Sequence, residues 1–65
     1  MKLKYIGRDG DLGLKNGRDY KCHVQDIIDE YGISFIQLRV IEFPKHIIIL
    51  YTSFDTLLQN WEELK

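Results

Sequence analysis

Residues 46–51 constrain the fold of this chain more than any other segment of the sequence. After His46, every side chain from Ile47 to Tyr51 is apolar. A strand with one face on a core and the other in water alternates apolar and polar residues, and this segment does not. A small protein cannot bury both faces of such a strand by itself. Either its own helix covers the second face, or a second copy of the chain does, and we expect the second copy.

The length of the chain gives a physical reason for self-association. Its 65 residues suffice for a single domain, 1–65. A domain of this size buries only about 60% of its unfolded surface, and small domains commonly add a disulfide, a metal or a partner subunit. The one cysteine, Cys22, excludes an internal disulfide and forms no spaced ligand set with the two histidines. A homodimer is therefore expected.

Alternating polar and apolar residues predict strands at 2–6, 18–25 and 33–41, and the short apolar run predicts a fourth at 46–52. Turn residues separate them: the Asn16-Gly17 pair, the segment 26–32 with a bulge near Ile27 and Ile28, and the segment 42–45 around Pro44. The predicted core faces of the first three strands are Leu3 and Tyr5; Tyr20, Cys22 and Val24; and Ser34, Ile36, Leu38 and Val40.

The apolar period changes after Thr52 from that of a strand to that of a helix. One helical stripe contains Phe54, Leu57, Leu58, Trp61 and Leu64. Ser53 is the predicted N-cap, and the helix is expected to reach Asn60. Residues 61–64 either extend it or form a short fifth strand. The predicted fold is mainly β (α+β), a small SH3-like antiparallel barrel or sheet of four to five strands with one C-terminal helix.

Charge and hydropathy limit the partners and the location. Residues 1–21 carry six Lys or Arg against three Asp, whereas residues 22–65 carry three against seven Asp or Glu. No apolar stretch approaches the ~20 residues that span a bilayer, and the first residues do not form a signal peptide. With one free thiol, we expect a cytoplasmic protein without a membrane partner.

Both ends of the chain resemble a group of small phage and prophage proteins with an SH3-like or split-barrel fold. The resemblance rests on residues 1–7, 12–20 and 51–62, about half of the chain. It implies that Gly13 and Gly17 shape a turn, that Tyr20 enters the core and that Trp61 closes the barrel. It also implies a phage origin and a place in the host cytoplasm. Most members have no assigned function, although phage proteins of this size often inhibit host defence systems.

Two groups of residues are candidate contact sites. The first is the apolar excess, because contiguous exposed apolar patches mark interaction sites and a twofold dimer is the commonest way to bury one; its members are Phe35, Ile41, Ile47, Ile48, Ile49, Leu50 and Tyr51. The second is a basic group that could contact an anion or nucleic acid: Arg8, Lys15, Arg18, Lys21 and Arg39.

Other constellations favour structural roles, so we predict no enzyme, catalytic residue, metal or cofactor. Asp9 and Asp11 lack the remaining ligands of a calcium loop. Cys22 is expected to be a small buried core residue whose neighbour His23 points to the opposite face, which excludes a dyad. His23 and His46 could pair across strands, but outward-facing histidines are usually surface residues.

The sequence therefore favours a non-enzymatic, phage-derived binding protein that occludes a host defence protein as a homodimer. The charged segments 7–13 and 26–32 are its expected target contacts. Two alternatives remain open: a small barrel that binds nucleic acid, and a sponge that holds a small anionic signalling nucleotide between subunits. The sponge requires Arg18, Lys21 and Arg39 to converge at the seam between the two subunits.

Overall fold

The computed structural model describes residues 1–42 and 46–64. It contains five strands and one short α-helix: β1 (Lys2–Tyr5), β2 (Asp19–Ile28), β3 (Ser34–Val40), β4 (Ile47–Tyr51), α1 (Phe54–Leu58) and β5 (Trp61–Glu63). A single 3₁₀ turn, Asp11–Gly13, lies between β1 and β2. The four predicted strands are confirmed to within a few residues, except at the end of the second. The predicted turn at 42–45 lies outside the described residues apart from Glu42.

All neighbouring strands are antiparallel, and they form one sheet in the order β4-β3-β2-β1-β5. The mainly β prediction with one C-terminal helix is therefore confirmed. The closed barrel is not confirmed, because the sheet is open, with β4 and β5 as its two ends. No helix in the described part of the chain is long and apolar enough to cross a membrane.

The core lies on one face of the sheet, and alternation places its residues there. Leu3, Tyr5, Tyr20 and Cys22 are buried, as predicted, and so are Leu38 and Val40. Leu14, Leu57 and Trp61 complete this centre from the connecting loop, the helix and β5. Ile36, Ile47 and Ile49 pack against it while remaining partly exposed. We call this side of the sheet the core face and the opposite side the outer face.

The second strand is longer than predicted. β2 continues to Ile28, so the expected turn at 26–32 is wrong over its first residues, and Ile27 pairs with Phe35 instead of forming a bulge. The last described pairs with the flanking strands are Lys2 with Lys21 on the β1 side and Tyr51 with Ile36 on the β4 side. Residues 27–35 therefore form a two-stranded arm that extends beyond the rest of the sheet.

The helix is shorter than predicted, and residues 61–64 follow the strand alternative. Ser53 caps the helix as expected, its hydroxyl accepting a hydrogen bond from the Thr56 N–H at 3.2 Å. The helix ends at Leu58 instead of Asn60, because the N–H groups of Gln59 and Asn60 turn back to the carbonyls of Thr56 and Leu57 in a tighter, 3₁₀-type turn. Trp61 then pairs with Tyr5 as β5 joins β1.

Candidate interaction surface

The candidate interface divides between the two faces of β4. Ile48 and Leu50 lie on the outer face with 51% and 58% of their surface exposed. Ile47 and Ile49 lean on the core, and Tyr51 is buried. The helix packs near β4 and β5 without covering Ile48 or Leu50. The sequence left open which face of β4 could form an interface, and the structure leaves the outer face accessible.

Tyr51 is better described as a core residue than as an interface residue. The indole Nε1 of Trp61 donates a hydrogen bond of 3.0 Å to its hydroxyl. Burial raises the pKa of the Tyr51 hydroxyl, while the bond from Trp61 acts in the opposite direction. The assignment of Tyr51 to an interface is therefore not supported within one subunit, because its hydroxyl and ring are already used inside the core.

β4 also exposes its backbone. The Cys22 N–H donates to the Met1 carbonyl, so the backbone N–H and C=O groups of Cys22 point toward β1. The Ile41 N–H donates to the Lys21 carbonyl, so the backbone groups of Lys21 and Ile41 point toward each other. In an antiparallel ladder this direction alternates from residue to residue. With Leu38 opposite Ile49, the N–H and C=O groups of Ile48 and Leu50 point away from β3, toward the free edge of the sheet.

Charge distinguishes β4 from the other end of the sheet. Exposed edge strands usually carry charged side chains, which discourage pairing with another chain. β5 carries Glu62 and Glu63, and both are exposed. β4 carries no charged residue over its whole length, Ile47–Tyr51. The edge at β4 is thus apolar on both faces. Its outward backbone groups are unpaired, and no charged side chain on β4 discourages pairing with another strand.

The other two members of the apolar group, Phe35 on β3 and Ile41 directly after it, are partly buried. They lie on the outer face, on either side of Gln37 and Arg39, which are opposite Leu50 and Ile48. Together with Ile27, which pairs with Phe35, they extend the apolar part of the outer face from β4 to the arm. The sequence did not mark Ile27 because the strand was expected to end before it.

The five residues of the basic group lie in two separate regions of the structure. Arg8, Lys15 and Arg18 lie in or next to the loop before β2, where the Arg18 guanidinium stacks over the Tyr20 ring at 5.1 Å. Because Tyr20 is a core-face residue, Arg18 lies on that side of the sheet. Lys21 and Arg39 lie instead on the outer face of neighbouring strands. Arg18 therefore does not converge with Lys21 and Arg39 within one subunit. The sponge alternative places their convergence at the seam between two subunits, so it stays a prediction.

The two segments expected to meet a target are connected to opposite ends of β2. Segment 7–13 precedes the Asp19 end of β2, whereas the arm contains its Ile28 end. At the arm tip, the Asp29 carboxylate accepts hydrogen bonds of 2.9 Å from the N–H groups of both Tyr31 and Ile33. This turn leaves the Tyr31 side chain 80% exposed.

The reactive side chains have structural surroundings. Cys22 is buried, and burial raises the pKa of its thiol to about 11, so the thiol is protonated at neutral pH. The Asp9 carboxylate accepts the Asn16 N–H at 3.0 Å, a turn contact rather than a calcium ligand geometry. His23 lies in β2, and His46 directly precedes β4, with β3 between the two strands. Two strand spacings therefore separate the histidines, which corresponds to about 10 Å.

One shallow cavity lies on the core side, next to the 3₁₀ turn. Its volume is about 330 Å³ and it is open to solvent. It is lined by Tyr5, Asp11, Leu12, Leu14, Ile49, Tyr51 and Asn60. Within residues 1–42 and 46–64, no three His, Cys, Asp or Glu side chains are grouped to hold a metal ion. The cavity thus offers a single carboxylate, Asp11, among neutral groups.

Comparison with known proteins returned no matching family model, no matching curated protein and no matching solved structure.

Proposed function

We propose that the chain is a non-enzymatic protein-binding module that works as a homodimer assembled through β4. The observation that carries the proposal is the state of Ile48 and Leu50. Both are aliphatic, more than half exposed, and located on an uncharged edge strand. Exposed apolar surface of this kind marks interaction sites.

A second copy of β4 is the partner that fits this edge. If two copies pair antiparallel about a twofold axis at Ile49, Ile48 of each copy lies opposite Leu50 of the other, and their edge-facing N–H and C=O groups can pair. No charge on β4 opposes this approach. The four aliphatic side chains then form one strip on the joined outer faces, and this strip is the proposed binding surface for a target protein.

Two finer assignments belong to the same proposal. The first is an SH3-like barrel, supported by the return of β5 to pair with β1 after the helix. The second is a phage-derived inhibitor of a host defence protein in the cytoplasm, which rests on the resemblance of the chain ends alone. The dimer does not depend on either assignment.

Sedimentation of the purified chain at micromolar concentrations tests the dimer. We expect a dimer for the wild type and a folded monomer for Leu50→Asp. Ile28→Asp is the matched control, because Ile28 is also an exposed strand aliphatic but lies on the arm, away from β4. A wild type that stays monomeric, or a control that dissociates equally, contradicts the proposal.

Amide hydrogen exchange tests the mode of association. Pairing of edges protects the backbone N–H groups of residues 48 and 50 in the wild-type dimer. The same two amides should exchange fast in the Leu50→Asp monomer, where the edge is unpaired. Exchange that is equally fast in both states indicates that the dimer, if present, forms by stacking of outer faces.

A further inference from the structure

Four basic side chains occupy adjoining positions on the outer face of three neighbouring strands. They are Lys2 on β1, Lys21 and His23 on β2, and Arg39 on β3. Lys2 lies directly opposite Lys21, and His23 lies directly opposite Arg39. Lys21 and Arg39 are diagonal neighbours, because Lys21 is opposite Ile41. We refer to these four residues as the outer-face cluster.

The lysine pair is held at the closest separation that the ladder permits. Cys22 bonds to Met1, so the adjacent pair, Lys2 and Lys21, is a non-hydrogen-bonded pair, in which side chains of opposite strands lie nearest. Their Cβ atoms are expected about 4.5–5.5 Å apart, and like charges directly opposite each other destabilise a sheet. An anion between the lysines would remove this repulsion.

Arg39 supplies a second, independent observation. The side chain is partly buried, and its Nε is inaccessible to solvent yet has no hydrogen-bond partner among the described residues. A buried donor without an acceptor costs free energy. The guanidinium has a planar fork of donors that matches phosphate oxygens.

Within the described part of the chain, two acidic residues lie next to this cluster: Glu42, and Asp19, which is two positions before Lys21 on the same face of β2. The Glu42 carboxylate accepts a hydrogen bond of 2.8 Å from the backbone N–H of Lys21. It therefore offsets part of the positive charge at the Ile41 end of the cluster. The three cations Lys2, Lys21 and Arg39 still outnumber these two carboxylates.

We propose that the outer-face cluster is a binding site for a phosphate group. Lys21 and Lys2 would hold the phosphate by charge, and the terminal N–H groups of the Arg39 guanidinium would donate to its oxygens. The site does not require the dimer. If β4 edges do pair, the two clusters lie on the same joined face, one on each side of the aliphatic strip.

Two probes test the site and distinguish its possible sources of phosphate. Inorganic phosphate and a single-stranded thymidine oligonucleotide are each titrated into the labelled protein, with amide chemical shifts as the readout. We expect shifts centred on Lys21, His23 and Arg39. Arg39→Gln should weaken binding about tenfold, the loss of one charge-assisted contact. Arg18→Gln is the matched control and should bind like the wild type.

The outcomes separate clearly. Binding of either probe at the cluster, weakened about tenfold in Arg39→Gln and unchanged in Arg18→Gln, supports the site. If only the oligonucleotide binds, with affinity that falls steeply as salt increases, the phosphate belongs to a nucleic-acid backbone. If inorganic phosphate binds as well, a small phosphorylated ligand suffices. Shifts centred on Arg8 and Arg18, equal losses in both variants, or binding of neither probe overturn the proposal.

Discussion

The Trp61 indole and the Tyr51 hydroxyl, joined by a hydrogen bond of 3.0 Å, connect the two ends of the open sheet. Tyr51 belongs to β4 and Trp61 to β5, which are the first and last strands in the sheet order. The sheet therefore curls until its ends meet through side chains, without a backbone ladder between them. The Tyr5 and Tyr20 rings pack against the same indole, at centroid distances of 5.1 and 6.1 Å.

Tyr51→Phe should lower the free energy of unfolding by about 1–3 kcal/mol, because it leaves the buried indole N–H without its acceptor. Urea unfolding followed by Trp61 fluorescence measures this change. Tyr31→Phe removes a hydroxyl from an exposed side chain and should have no measurable effect. Equal midpoints for the two variants would show that the bond does not stabilise the fold.

Stability should decrease at alkaline pH in part through Cys22. Burial raises the pKa of this thiol from 9.0 to about 11. Its contribution is complete below pH 9 and is lost as the pH approaches 11, by about 1.4 kcal/mol per pH unit between the two values. The pKa values of Tyr5 and Tyr51 are also raised, mainly by burial, and act in the same direction.

Cys22→Val isolates the thiol from these tyrosines. Urea midpoints of wild type and variant are compared at pH values on both sides of 9.0. The wild type should lose stability relative to the variant as the pH rises. A difference that stays constant with pH would show that Cys22 titrates normally in the folded protein.

The arm tip should depend on one carboxylate. Asp29→Ala removes the acceptor of the Tyr31 and Ile33 N–H groups, so these amides should exchange with solvent about tenfold faster, which corresponds to about 1.4 kcal/mol. Asp29→Asn keeps a side-chain carbonyl and should retain most of the protection. The tip has another basis if alanine and asparagine behave alike.

Leu12 should be a position where substitution stabilises the protein. Its φ of 54° and ψ of 20° are left-handed, a conformation that is costly for leucine, and its side chain is exposed. Leu12→Gly should raise the free energy of unfolding by up to about 1 kcal/mol, measured by thermal unfolding. Ile28→Gly, at an exposed strand position, should have the opposite sign. A loss of stability in Leu12→Gly would indicate that Leu12 contributes packing.

Alternation predicted most of the core, because a strand with one face on the core has a period of two residues that the sequence displays directly. Alternation failed where tertiary contacts determine whether a segment is a strand, a helix or a turn. β2 continues through Ile27 because Phe35 pairs with it, although Ile27 and Ile28 break the alternation. Residues 61–64 fit a helical stripe, but pairing with β1 and burial of Trp61 determine the strand. Leu14 enters the core from a loop, where no periodicity marks it.

For the candidate sites too, the sequence predicts which face a residue lies on but not which strands are neighbours. The sequence indicated that β4 had more apolar surface than one core can cover, and it placed Ile48 and Leu50 on one face. It could not indicate that β4 is an edge, because strand order is a tertiary property. Lys21 and Arg39 were marked as basic residues, but Lys2 and His23 were not grouped with them. The strand register places these four side chains side by side. The only sequence signal for the cluster is that alternation directs each of the four side chains away from the core.

The arm of residues 27–35 has a consequence for how this protein can change. Its tip contributes nothing to the buried centre, and Ile28 and Tyr31 are largely exposed. Provided that Asp29 and Gly32 preserve the turn, mutations at the tip can accumulate at little cost in folding. Evolution, or a designer, could therefore change the side chains at this end of the molecule while the scaffold behind it stays the same.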